Sequence, residues 1–194
     1  MSKRITIIQG HPDARGDRFL HALAAAYADG ARAAGHEVRV IDVARIDFPL
    51  LRTKEDYERA APPEAIREAQ ETIRWAEHLL ILFPLWAGTL PALLKGFLEQ
   101  VFRPGFAVAF VEGGMPKKLL RGRSARVVVT MGMPAFVYRW YFGAHGVKSL
   151  KRSILSFCGI APIKESLIGM IEAGDGAKRE AWLAKLRDLG RDGV

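Results

Sequence analysis

One cysteine in 194 residues excludes an intramolecular disulfide and any metal cluster built on several thiolates. That residue, Cys158, lies in the apolar run Ile154-Leu155-Ser156-Phe157-Cys158 and reads as a buried core thiol, because free cysteine packs as a small hydrophobe. Long apolar runs are missing too. Stretches such as Leu79–Gly88 reach ten residues, about half the roughly twenty a spanning helix needs, so no integral membrane segment is expected. Met1-Ser2-Lys3-Arg4 leads straight into a strand-like segment with no room for a secretory leader, which gives a cytoplasmic expectation. The chain is short of acid: 29 Lys and Arg face 21 Asp and Glu, a net charge of +8. The densest basic group (Lys117, Lys118, Arg121, Arg123, Arg126) has no interleaved aromatics, and no helix-turn-helix, zinc-finger or RRM pattern occurs. A solvated basic face, or attraction for a phosphorylated cofactor, accounts for the charge without nucleic acid.

With 49% hydrophobic residues the chain can fill one core, and a single domain over residues 1–194 is expected. Short β-branched runs alternate with longer amphipathic stretches. Arg4–Gln9, Glu37–Asp42, His78–Phe83, Ala125–Met131 and Pro162–Ile168 read as strands, with Pro84 ending the third. Helices are expected over Arg18–Ala34, from Pro62-Pro63 to about Trp75, from Pro91 through Phe102, over Val147–Phe157 and over Gly176–Leu189. Arg103–Arg123 reads as an extended excursion. Five βα units without internal repeats predict an α/β fold, a doubly wound five-stranded parallel sheet in the order 2-1-3-4-5. Ligands then bind beyond the carboxyl ends of the strands, where the loops after strands one, three and four converge.

Those three loops are the unusual segments of the chain. The first, Gly10-His11-Pro12-Asp13-Ala14-Arg15-Gly16-Asp17-Arg18-Phe19, has neither Gly-x-Gly-x-x-Gly nor a Walker-A pattern. It still feeds a helix N-terminus, which favours an anion, and Arg18 can add a fork to a phosphate. The alternative is that Asp17 caps the helix and Arg18 is solvated. The second loop, Pro84-Leu85-Trp86-Ala87-Gly88-Thr89, places backbone N–H groups and an indole at the crevice, where a flat ring can lie; the alternative is a rigid turn with Trp86 in the core. The third begins Thr130-Met131-Gly132-Met133. It then carries Phe136, Tyr138, Trp140, Tyr141, Phe142 and His145 within ten positions, which suits a stacking platform or a dimer interface.

The run Phe83-Pro84-Leu85-Trp86, then Leu90-Pro91-Ala92-Leu93-Leu94-Lys95-Gly96-Phe97-Leu98-Glu99-Gln100-Val101-Phe102 and Gly105-Phe106-Ala107, resembles the signature of the DT-diaphorase-like NAD(P)H:quinone oxidoreductases, short bacterial type. Gly10-His11-Pro12, Thr130-Met131-Gly132, His145-Gly146 and Phe157-Cys158-Gly159 extend the likeness over nearly the whole chain. The resemblance implies a flavodoxin-like fold, a non-covalent FMN (FAD being the alternative), a homodimer with sites shared between subunits, and ping-pong hydride transfer from NAD(P)H to quinone-like acceptors. It places His11, Arg18 and Phe19 around the flavin phosphate. Pro84, Leu85, Trp86, Ala87 and Gly88, with Thr130, Met131, Gly132 and Met133, fall along the ring edge. His145 matches the family histidine near the flavin C2 carbonyl, assisted by a tyrosine.

Three departures stand out. Arg18 and Leu20 flank Phe19 where the family often has serine and asparagine. The stretch from Thr130 to His145 is one residue longer, leaving Tyr138 and Tyr141 as rivals for the tyrosine. The chain also ends soon after its last helix, which favours FMN over FAD. The same ring chemistry serves azo and nitro compounds, and some short relatives are ancillary to potassium-efflux transporters. An electron carrier of the flavodoxin type fits less well, since it needs an acidic docking surface and no aromatic substrate loop.

Overall fold

Seven residues in a row, His78–Pro84, are buried, and they form the central strand β3 of the sheet. A parallel strand covered on both faces has no solvent side to mark with polar residues, which is why the run is continuously apolar. In the computed structural model, which describes residues 2–173 and 176–194, the other elements are arranged around it. Met1 therefore lies outside the described residues.

In chain order, β1 (Arg4–Gln9), α1 (Phe19–Ala33) and β2 (Glu37–Asp42) are followed by a 3₁₀ turn, Val43–Arg45. Next come α2 (Lys54–Glu58), α3 (Glu64–Trp75), β3 and α4 (Ala92–Val101). A short antiparallel hairpin, β4 (Val108–Ala109) with β5 (Lys117–Lys118), occupies the expected excursion. Then follow β6 (Ser124–Thr130), a π-helical turn (Val137–Tyr141), α5 (His145–Ser149) continuing as π-helix through Ser156, β7 (Ile163–Ile168) and α6 (Gly176–Asp192). The main sheet is ordered β2-β1-β3-β6-β7, with all four pairings parallel. That is the 2-1-3-4-5 arrangement.

Strand alternation divides the core into two layers. Leu79, Ile81 and Phe83 pack toward α3, α4 and the helix containing Leu150 and Leu155, together with Cys158. Leu80 and Leu82 point to the opposite face, against Leu20, Leu23 and Tyr27 of α1 and Leu186 of α6. The Cys158 thiol is buried, and burial pushes its pKa up to about 12, so it is an inert packing group.

Several boundaries differ from the sequence reading. Pro84 is the last residue of β3, in register with Thr130. β6 begins at Ser124 and ends at Thr130, one residue ahead of expectation. The helix expected from Val147 starts at His145, because Gly143 and Ala144 turn the chain with φ of 65° and 49°. Helix α2 is additional. It is short, and its start is fixed by a reciprocal capping box between Thr53 and Asp56.

At the amino end of β3, far from the crevice, His78 Nδ1 and Ser124 Oγ share a hydrogen bond of 2.7 Å, while Nε2 is buried without a partner. Burial, followed by the cations of Lys3 and Arg126, pushes the His78 pKa down from 6.5 to about 3. Between those values the unfolded chain binds a proton that the folded chain refuses, so stability falls as pH drops below 6.5. From pH 7 to pH 5 the expected loss from this group is up to about 2 kcal/mol. Urea midpoints at the two pH values should therefore differ less for His78→Gln than for the parent; equal differences would show that His78 carries no linkage.

Candidate functional site

Backbone bonds at the carboxyl ends of β1, β3 and β6 set the three loops side by side. Gly10 donates its N–H to the Leu82 carbonyl at 2.8 Å, and Leu85 donates to the Thr130 carbonyl at 2.8 Å. Each loop thus leaves the sheet at a fixed height, and the three surround one crevice beside the switch between β1 and β3.

The first loop is organised on Asp13. Its carboxylate accepts from Arg15 (Nε 3.0 Å, Nη2 2.7 Å) and from Arg18 (Nε 3.0 Å, Nη2 2.8 Å). Those hydrogen bonds hold the Asp13 carboxyl far below the ordinary carboxylate range. Asp17 does not cap α1; it pairs with Arg18 at 3.3 Å. Helix α1 consequently opens at Arg18 with no side-chain cap and no acid in its first turn. First-turn N–H groups without an internal partner make a seat for an anion. His11 faces this region: its Nδ1 accepts from the Asp13 N–H at 3.0 Å, which places the proton of the neutral ring on Nε2, ready to donate. Burial, then the neighbouring His21, lowers the His11 pKa and favours that neutral form. The His11 and Trp86 rings meet edge to face with centroids 6.4 Å apart, which joins the first loop to the second. Phe19, half-buried, starts the helix behind them.

The second loop is a two-residue turn. Trp86 N–H donates to the Thr89 carbonyl at 3.0 Å and Thr89 N–H donates back to Trp86 at 2.9 Å. Between them Ala87 and Gly88 have φ of 47° and 78°, the pattern of a type I′ turn. Glycine accepts that conformation freely, whereas alanine is strained in it, and such strain concentrates where backbone must face a ligand. The turn's own bonds use only Trp86 and Thr89, and the N–H groups of the exposed Ala87 and Gly88 have no hydrogen-bond partner among the described residues. Pro84 is buried and Leu85 half-buried, while Trp86 is 51% exposed rather than part of the core.

The third loop divides its aromatics. Met131 is anchored by its N–H to Ile168 at 2.9 Å, and Met133 accepts from Met170 at 3.2 Å; Thr130 is buried and Gly132 exposed. Tyr138 is buried. Its hydroxyl donates to the Gly88 carbonyl at 3.3 Å and accepts from the Val147 N–H at 3.3 Å. Desolvation raises its pKa, so it stays a neutral strut between the turn and α5. Tyr141, by contrast, is 82% exposed and rests edge-on against Phe142. Phe136 and Trp140 are also exposed. His145 is exposed at the start of α5. The next residue, Gly146, lies directly on the turn: a Cβ there would come within 2.7 Å of Thr89 Cα and 2.8 Å of the Gly88 carbonyl. His145 is held beside the second loop by that contact.

Asp13, Thr89 and Gly146 contribute to this arrangement although none is among the site residues expected from sequence. Ala-Gly between two mutually bonded residues is the turn signal that points to Thr89; nothing local in the sequence marks Asp13 as the clamp on two arginines. The residues fit a flavin. Unpaired backbone donors suit the carbonyl and nitrogen edge of the ring, exposed indole and phenyl surfaces suit its faces, and the uncapped α1 suits its phosphate. A cavity of about 550 Å³ lies elsewhere, between α4 and the helix ending at Cys158. No group of three or more metal-ligating side chains occurs among the described residues, and no described helix is long and apolar enough to cross a membrane.

The chain is similar in sequence and in fold to several known proteins. A Haemophilus influenzae protein named as an uncharacterized NAD(P)H oxidoreductase is 29% identical over 149 residues, 73% of this chain and 72% of that protein. Human ribosyldihydronicotinamide dehydrogenase [quinone] is 27% identical over 73% of this chain but only 64% of its own length. A shorter match, 32% identical over 36% of this chain and 34% of the relative, is to an FMN-dependent NADH:quinone oxidoreductase of Ruegeria pomeroyi. Among solved structures, the NAD(P)H:quinone oxidoreductase of Methanothermobacter marburgensis superimposes with a TM-score of 0.85, 26% identity and full coverage of both chains. The pattern of the family described as flavodoxin-like fold matches residues 3–189. The match spans nearly the whole chain and the sheet has the corresponding strand order, so the protein belongs to this flavodoxin-like family.

Proposed function

We propose that the chain is a flavin-dependent NAD(P)H:quinone oxidoreductase, one domain over residues 1–194, working as a cytoplasmic homodimer with FMN. The observation that carries this is the Trp86–Thr89 turn, which presents two uncommitted backbone N–H groups beside an exposed indole at the strand ends. Bound flavin supplies a ring that accepts a hydride from NAD(P)H and passes it to an acceptor. The N–H groups of Ala87 and Gly88 hold the ring edge, with Gly132 and Met133 along the neighbouring side. The start of helix α1 and neutral His11 receive the phosphate, while Arg18 is held beside them by Asp13. His145 sits where it can exchange a proton or steady charge at the ring edge, and Tyr138 fixes its position through Gly88 and Val147. Tyr141 and the exposed aromatics Phe136 and Phe142 form the surface on which coenzyme and acceptor stack in turn. The balance is one hydride and one proton per quinone, giving a hydroquinone and NAD(P)+.

The similarity to proteins named as quinone oxidoreductases supports this acceptor class. Exposed Phe110, Val111 and Met115 on the β4–β5 hairpin support an apolar contact with a second copy. Anaerobic mixing of the FMN-loaded protein with NADPH should bleach the flavin bands, and one equivalent of a soluble benzoquinone should restore them. Bleaching that quinone fails to reverse, while an azo dye succeeds, would move the assignment to azo reduction.

A further inference from the structure

On the outer side of the helix that carries His145, a cleft of about 400 Å³ opens between the π-helical turn, α5 with its continuation, and edge strand β7. Four cations line it (Arg139, Lys148, Lys151, Arg152) against the single carboxylate of Glu165. Glu165 binds Arg139 at 2.9 Å and Lys151 at 2.7 Å. It therefore cannot balance the group, and the cleft keeps three positive charges. Lys148 and Arg152, four residues apart on one helix, have no ion-pair partner among the described residues; like charges so spaced repel, and an anion between them relieves the repulsion. Trp140, 77% exposed, forms one wall and offers a flat π face.

The cleft adjoins the crevice. Val147 lines it and is also bonded to the Tyr138 hydroxyl, which in turn reaches Gly88 of the ring-holding turn. Arg152 lies seven residues along the same continuous helix from His145. An elongated ligand with its reacting end at His145 thus meets cations and an indole at its far end.

We propose that this cleft receives the adenosine 2′-phosphate end of NADPH, with the adenine on Trp140 and the 2′-phosphate between Lys148 and Arg152, so that the enzyme prefers NADPH to NADH. The proposal rests on reading the chain as an NAD(P)H oxidoreductase. It agrees with the chemistry of the site: Arg and Lys bind phosphate by charge-assisted hydrogen bonds, and one additional phosphate distinguishes the two coenzymes.

The test is equilibrium binding of adenosine 2′,5′-bisphosphate and of AMP to the FMN-loaded protein, followed by tryptophan fluorescence and calorimetry. The bisphosphate should bind at least tenfold tighter than AMP. The Lys148→Glu/Arg152→Glu protein should lose that preference and raise the KM for NADPH at least tenfold, with flavin content and the KM for NADH unchanged. Equal affinity for the two nucleotides, or an unaltered KM for NADPH in the charge-reversed protein, would overturn the assignment. The two readings fail separately. Selective bisphosphate binding without coenzyme oxidation would sink the oxidoreductase reading and uphold the cleft, whereas rapid oxidation of both coenzymes with no bisphosphate preference would do the reverse.

Discussion

Gly146→Val is expected to give a folded protein that purifies with little flavin. The side chain cannot be accommodated by a rotamer change, because the atoms it meets are backbone: Thr89 Cα at 2.7 Å and the Gly88 carbonyl at 2.8 Å from the first added carbon. Either α5 retreats or the Trp86–Thr89 turn deforms. Retreat also pulls Val147 from the Tyr138 hydroxyl, which is bonded to Gly88 on its other side. Overpacking of this kind costs about 1–3 kcal/mol, and where that cost falls on the flavin-holding conformation it corresponds to roughly a ten- to hundredfold weaker FMN affinity. Quenching of FMN fluorescence on titration measures it, with circular dichroism to confirm the fold. Gly146→Ala should fall between the two. A valine protein with undiminished FMN affinity would show that the turn is not the ring's seat.

His145→Ala separates chemistry from binding. The imidazole is exposed and anchors nothing by a hydrogen bond among the described residues, so its loss should leave the fold and the flavin content intact. The rate of flavin bleaching by NADPH should drop about a hundredfold, the lower end of what a positioned proton partner contributes. Stopped-flow absorbance under anaerobic conditions reads that rate directly. Tyr138→Phe makes a useful companion. In the proposed arrangement Tyr138 positions the turn and α5, so its loss should weaken FMN binding and slow bleaching together, whereas His145→Ala should change the rate alone. An unchanged bleaching rate in His145→Ala would remove the histidine from the reaction.

The sheet was legible because its information is local. A strand with two covered faces must be apolar throughout, and His78–Phe83 could be little else. Five βα units make the flavodoxin-like order 2-1-3-4-5 the leading arrangement, and the sheet has it. Boundaries slipped where a neighbour, not the residue itself, decides them: Pro84 stays in β3 through its register with Thr130. Helix α2 escaped notice since five residues have no readable periodicity, and its cap uses aspartate at the third position. At the site, residue types and loop positions were readable, but partners were not. Arg18 looked like an open phosphate fork, yet Asp13, five residues earlier, holds two of its nitrogens. Ala87 gave no sign of a left-handed backbone, because alanine is not a residue that announces one. The two tyrosines could not be told apart from spacing. A π-helical turn of five residues buries Tyr138, whose hydroxyl bonds Gly88 and Val147, and leaves Tyr141 in the open.

The central claim is that the Trp86–Thr89 turn and the uncapped start of α1 together hold a flavin. Absorbance of the purified protein before and after incubation with FMN, with mass identification of what denaturation releases, addresses it most directly. The account predicts flavin bands near one FMN per chain, retained through gel filtration. A colourless protein that takes up neither FMN nor FAD would contradict it.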